Sequence, residues 1–118
     1  GLCGCAHEND GNPTPGAFEK LNAWAKHAAD IGCTAIYIGP LFESGSHGYD
    51  TIDYRLVDRR IGTNEEFKEF VSNCHARGQK VIVDGVFNHV GRDFFAASRN
   101  RFISSGRLKN LANRVRAR

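Results

Sequence analysis

Apolar residues recur at helical spacing twice along this chain, and a short β-branched run follows each time. From Ala17 onward, Phe18, Leu21, Ala25, Ala28 and Ile31 fall on one helical stripe, with Trp24 beside it. Gly32 is a natural stop, because a left-handed residue commonly closes a helix. Thr34 to Ile38 then reads as a short buried strand, closed by Gly39 and Pro40. The second pass begins at Thr63. Thr63 and Glu66 have the spacing of a capping box, which satisfies the orphan amides of a helix start. That helix is expected to bury Phe67, Phe70, Val71 and Cys74 and to end at Gly78. The run that begins at Val81 is expected to be a strand buried on both faces, since β-branched side chains pack well on a pleated surface. Helix, strand, helix, strand predicts an α/β fold with a parallel sheet and right-handed crossovers.

Two stretches break this pattern. Residues 1–16 are rich in Gly, Pro, Asn and Asp and read as a loop. A second loop is expected from about Leu41 to Gly62, carrying Asp50, Asp53, Asp58, Tyr49 and Tyr54. A loop of that length inside a compact domain is usually functional. Two strands cannot cover two amphipathic helices, and so small a sheet is not expected to be stable alone. Further strands, a larger barrel or an oligomeric partner are therefore expected.

Composition adds a boundary. The 118 residues are 41% hydrophobic and 25% charged, which excludes wholesale disorder. No apolar run approaches the ~20 residues needed to span a bilayer, so no membrane role is expected. No signal-peptide pattern opens the chain, and no initiating Met is present, so it is expected to begin inside a longer protein. The net charge of +3 is unevenly divided. Residues 1–96 hold nine Lys and Arg against all thirteen acids, whereas residues 97–118 hold seven Lys and Arg and no acid. The expected division is a domain over 1–96 and a basic tail over 97–118. That tail is expected to be a solvated, partly helical or disordered end; contact of its basic cluster with nucleic acid or an acidic membrane is the alternative, and a tail that does not belong to the domain is another. Cys33 and Cys74 fall at expected core positions, and a cytoplasmic, reducing setting fits the cysteines better than a disulfide framework. Cys3, Cys5 and His7 lack the two spaced pairs of a zinc site.

The chemistry gathers at strand ends. Asp84, Asn88 and His89 close the second β-branched run, and in parallel α/β folds that end is where ligands bind. Asp84 is either a buried carboxylate satisfied locally or a site carboxylate. His89 is a candidate ligand contact. Asn88 either holds its loop by side-chain hydrogen bonds or lends an oxygen to Ca²⁺. His47, Tyr49 and Asp50 form a second cluster, in which Tyr49 offers a flat apolar face with a polar tip, suited to a sugar ring or to packing as a lid.

Thr34 to Phe42, His47 to Tyr54 with Ile61 to Thr63, and Asp84 to His89 together resemble the α-amylase superfamily of glycoside hydrolases, family 13. They are similar, in order, to that family's second barrel strand, the loop after it, and the first signature motif at the end of its third barrel strand. The likeness runs from about Gly1 to Phe95. It implies a partial (β/α)₈ TIM barrel, a retaining glycosidase as parent, and an α-glucan or maltooligosaccharide substrate. It implies no required cofactor, with Ca²⁺ at Asn88 as in many α-amylases. By the same resemblance Tyr49 would stack under the sugar, His89 would bond its hydroxyls with His47 close by, and Asp84 would be a supporting carboxylate. Tyr49 and His89 are thus expected to converge on one hollow. The family's nucleophile and general acid lie on its fourth and fifth strands, past the matched residues, so the isolated chain is expected to be inactive. A complete barrel takes about 250 residues. A non-catalytic carbohydrate-binding module is a further alternative.

Overall fold

The computed structural model describes residues 2–94; the basic tail over 97–118 lies outside the described residues. In chain order the elements are α1 (Ala17–Asp30), β1 (Ala35–Pro40), β2 (Phe42–Ser44), β3 (Thr51–Val57), α2 (Asn64–Ala76) and β4 (Lys80–Asp84). α1 stops where the sequence says it should. Gly32 takes φ +96, its N–H donates to the Ala29 carbonyl at 2.9 Å, and Cys33 N–H donates to Ala28 at 2.8 Å. These bonds occupy carbonyls that the helix end would leave orphaned. At α2 the capping box is complete: the Glu66 N–H donates to Thr63 Oγ1 at 3.2 Å, and the Thr63 N–H donates to Glu66 Oε2 at 2.8 Å.

β1 and β4 pair in parallel, with Tyr37 opposite Ile82 and Ile38 opposite Val83. The two helices cover one face of this pair. Phe18, Ala25, Leu41, Val57, Phe70 and Cys74 are buried there, and Ile36, Ile38 and Val81 pack against them. Phe18, Phe67 and Phe70 form a triangle of rings with centroids 6.2–6.4 Å apart. Gln79 is buried as well, and its Nε2 donates to the Ala25 carbonyl at 2.9 Å, tying the approach to β4 onto α1.

The structure corrects three expectations. The second run is not buried on both faces: Ile82 is 51% exposed and its neighbour Tyr37 64%. Side chains alternate across a strand, the helices lie on one side, and among the described residues nothing lies on the other. Cys33 is exposed rather than core, because it follows the helix stop, while Cys74 is buried as expected. The stretch from Leu41 to Gly62 is not all loop, since β2 and β3 form an antiparallel ribbon within it. Its inward positions are Glu43, Ser44, Thr51 and Asp53, all buried, so the usual apolar alternation of a strand is missing. Among the described residues no helix is long and apolar enough to cross a membrane.

The two faces of the parallel pair should respond differently to truncation. Phe70→Ala is expected to destabilise the chain by about 3–5 kcal/mol, and Ile82→Ala by less than about 1 kcal/mol, in urea unfolding followed by circular dichroism. Equal losses would show that both faces are packed in solution.

Candidate functional site

Because β1 and β4 are parallel, the segments that follow Pro40 and Asp84 leave from the same end of the pair. The segment after β1 enters the ribbon, whose turn is closed by the Gly45 N–H donating to the Asp50 carbonyl at 3.2 Å. Gly48 sits in this turn at φ +100, and a Cβ there would lie 2.9 Å from Pro40 Cβ. Only glycine lets the turn rest against the strand end while adopting that φ. His47 and Tyr49 flank it. The Tyr49 N–H donates to His47 Nδ1 at 3.2 Å, and their ring centroids are 6.2 Å apart. His47 Nδ1 also lies 3.6 Å from Asp50 Oδ1, an atom that is buried and has no hydrogen-bond partner. The other oxygen of Asp50 accepts from Ser46 Oγ at 2.9 Å. Burial works against the Asp50 charge, but hydrogen bonds from the Ser46 side chain and backbone, and the nearby His47, hold this carboxyl below its usual range.

His47 and Tyr49 line a hollow of about 350 Å³, together with Cys5, Pro40, Leu41 and Arg60 among others. Tyr49 is 47% exposed, so one face of its ring is available. His89 does not line this hollow. It and Asn88 are exposed on the segment after β4. That segment is fixed to the ribbon by an aromatic pin: the Tyr54 hydroxyl donates to the Val86 carbonyl, and its ring lies 5.6 Å from Phe87 and 5.5 Å from Phe42. Just beyond, the Gly91 N–H donates to the Thr51 carbonyl at 2.7 Å. The structure thus brings His47, Tyr49 and Asp50 together and holds the Asn88–His89 segment against the same ribbon. Asp84 ends β4 close to Tyr37, and its carboxylate, as the phenol's hydrogen-bonding neighbour and as a negative charge, raises the Tyr37 phenol above its usual pKa. Asn88 offers one oxygen to a cation, and among the described residues no group of three or more His, Cys, Asp or Glu could hold a metal.

Sequence reasoning missed the residues that hold the turn. Asp58 and Arg60 form a buried ion pair, with side chains 1% and 8% exposed and Nη2 2.8 Å from Oδ2. Ser44 Oγ donates to Asp58 at 2.9 Å, and Arg60 Nη1 donates to the Ala6 and His7 carbonyls at 3.3 and 3.0 Å. Burial opposes the Asp58 charge, yet the Arg60 side chain and amide and the Ser44 hydroxyl outweigh it and depress its pKa. The only hint in the sequence was two opposite charges two residues apart in a stretch read as loop.

Residues 14–110 match the family model described as alpha amylase, catalytic domain. The chain belongs to the alpha-amylase catalytic-domain family. A cyclomaltodextrinase of Thermoanaerobacter pseudethanolicus is 44% identical over 87 residues, which are 73% of this chain and 14% of that protein. The debranching enzyme of Nostoc punctiforme superposes with TM-score 0.63 at 40% identity, over 73% of this chain and 19% of that one. A cyclic alpha-maltosyl-(1→6)-maltose hydrolase from Arthrobacter globiformis, in complex with maltose, does so with TM-score 0.64 at 33% identity, over 75% and 21%. The chain therefore spans about a seventh to a fifth of the length of these relatives. Its parallel pair and helices are part of a (β/α)₈ barrel.

In this alpha-amylase-family segment the Asp58–Arg60 pair gives a pH signature. The folded pKa of Asp58 is depressed, so the pair contributes stability that is fully present above the ordinary aspartate pKa of about 3.9. That stability is lost as pH falls from there through the folded value. Thermal unfolding followed from about pH 7 to about pH 2 should show the loss. Asp58→Asn leaves the Arg60 cation buried without its partner, which should cost about 3 kcal/mol at neutral pH and flatten the acid limb. An acid limb unchanged by the substitution would assign the loss to other groups.

Proposed function

We propose that this chain contributes one wall of a glucose-binding subsite to an enzyme that cleaves or transfers α-glucosidic bonds with retention. The observation that carries the reading is the hollow itself. Its volume, about 350 Å³, lies in the range of small-molecule sites. Its wall pairs a half-exposed tyrosine face with an imidazole whose Nε2 is not spent on Tyr49 or Asp50. An aromatic face suits the C–H side of a pyranose, and the imidazole suits its hydroxyls. The names of the relatives, a cyclomaltodextrinase, a debranching enzyme and a maltose-bound hydrolase, support an α-glucan as ligand. In this reading Asp84 supports the strand end beside Tyr37, while His89, exposed on the neighbouring segment and outside the hollow, is not a contact of this subsite.

Catalysis itself is not assigned to these residues. A retaining glycosidase needs two carboxyl groups roughly 5–5.5 Å apart, one of them with a raised pKa so that it can donate a proton. Asp50, Asp53 and Asp58 are all held below the usual range, with Ser46, Arg55 and Arg60 as their respective hydrogen-bond partners. They are committed anions, unsuited to act as the acid. The proposed role of this segment is to bind and orient the sugar.

Saturation-transfer NMR with maltotriose should detect weak, millimolar binding to the 118-residue chain, and Tyr49→Ala should abolish it. The β-linked control cellobiose should bind less well. Reducing-sugar release from maltooligosaccharides should stay at background. Binding that survives Tyr49→Ala, or an equal response to cellobiose, would overturn the subsite reading. Turnover above background would overturn the division of labour.

A further inference from the structure

The hollow beside Tyr49 has a second kind of wall, which sugar binding does not use. Cys3 and Cys5 both line it, both are half-buried, and both are free thiols. Gly4 stands between them at φ +81, a conformation that reverses the chain there at little steric cost. Only Gly4 separates the two cysteines and both face the same hollow, and burial, with the neighbouring Cys5, pushes the Cys3 thiol up. Cys5 is also tied into the loop clamp: its Sγ donates to the Arg60 carbonyl at 3.6 Å. The other two cysteines make natural controls, since Cys33 is exposed and far along the chain and Cys74 is wholly buried.

We infer that Cys3 and Cys5 form a covalent modification site, a dithiol in the wall of the Tyr49 hollow that a small-molecule disulfide converts into an internal disulfide. One thiolate of the pair attacks a sulfur of the external disulfide, whose S–S bond breaks and releases one small thiol. The second protein thiolate then attacks the mixed disulfide, forming the Cys3–Cys5 bond and releasing the other small thiol. The protein gives up two protons and two electrons, and the external disulfide takes them up to become two small thiols. A disulfide carries no ionisable proton, so it suits a place where burial disfavours a thiolate. Closure also removes the Cys5 S–H from the Arg60 carbonyl. The wall opposite Tyr49 then loses a tether, while the Arg60 guanidinium keeps its bonds to Ala6 and His7.

The link from this dithiol to sugar rests on the subsite reading above, and the experiment separates the two. The folded 118-residue chain is equilibrated with reduced and oxidised glutathione over a range of ratios, quenched in acid, alkylated, digested and weighed by mass spectrometry. The peptide holding Cys3 and Cys5 should lose two hydrogens and retain no glutathione, at a less oxidising ratio than is needed to load glutathione onto Cys33. In Cys5→Ser, the remaining Cys3 should instead carry glutathione as a mixed disulfide. The inference is overturned if the Cys3–Cys5 peptide shows only alkylated thiols or two separate glutathione adducts across the whole series. Maltotriose then tests the connection. Losing one hydrogen bond from the wall should weaken sugar binding by about two- to tenfold, and by reciprocity saturating maltotriose should shift the dithiol toward its reduced form by the same factor. A bridge that forms but ignores maltotriose leaves the dithiol standing and removes sugar from the hollow.

Discussion

One buried ion pair sets the geometry on which the rest of this site depends. Asp58 and Arg60 are nearly inaccessible to solvent, and every strong hydrogen-bonding direction they have is used. A buried pair of this kind is weak evidence for stability, because desolvation consumes most of the Coulomb attraction. Its value here is positional. The Asp58 carboxylate takes the Ser44 hydroxyl of β2, and the Arg60 guanidinium holds the carbonyls of Ala6 and His7. Strand, ribbon and N-terminal segment are thereby fixed around one hollow. Gly48 lets the turn settle against Pro40, and Tyr49 follows from that contact.

The segment after β4 is held by a different force. Tyr54 meets Phe42 on its own ribbon and Phe87 on the neighbouring segment, and its hydroxyl reaches the Val86 carbonyl. Aromatic packing with one polar handle thus joins two strand-end segments that share no secondary structure. The division is sensible in physical terms. Charge fixes direction where carbonyls and hydroxyls must be met, and ring packing fixes distance where the partner chain segment has no regular hydrogen bonds to offer.

Much of this was readable in advance, for reasons that differ by element. α2 declared itself through Thr63, Glu66 and the Phe67–Phe70 stripe, because capping and helical periodicity are local. Asp84, Asn88 and His89 stood out because three polar residues close a β-branched run, yet Asn88 and His89 lie exposed and none of the three lines the hollow. The ribbon was invisible because its inward faces carry Glu43, Ser44, Thr51 and Asp53, whose partners are charged side chains and backbone groups rather than an apolar core. Arg60 was equally opaque, since three of the four residues its side chain bonds, Ser44, His7 and Ala6, lie 16, 53 and 54 residues away in the chain, and only Asp58 is close. Ile82 and Tyr37 looked like core because their strands have core composition; the packing that would make them so is not a property of these residues alone.

That bare surface also has a meaning for how the polypeptide meets other chains. Among the described residues β1 and β4 hydrogen-bond only to one another, so each keeps a row of unpaired amides and carbonyls beside Tyr37 and Ile82. Open strand edges next to apolar side chains are templates for indiscriminate pairing. Left uncovered, these edges and rings are an adhesive surface of the kind that chaperones shield.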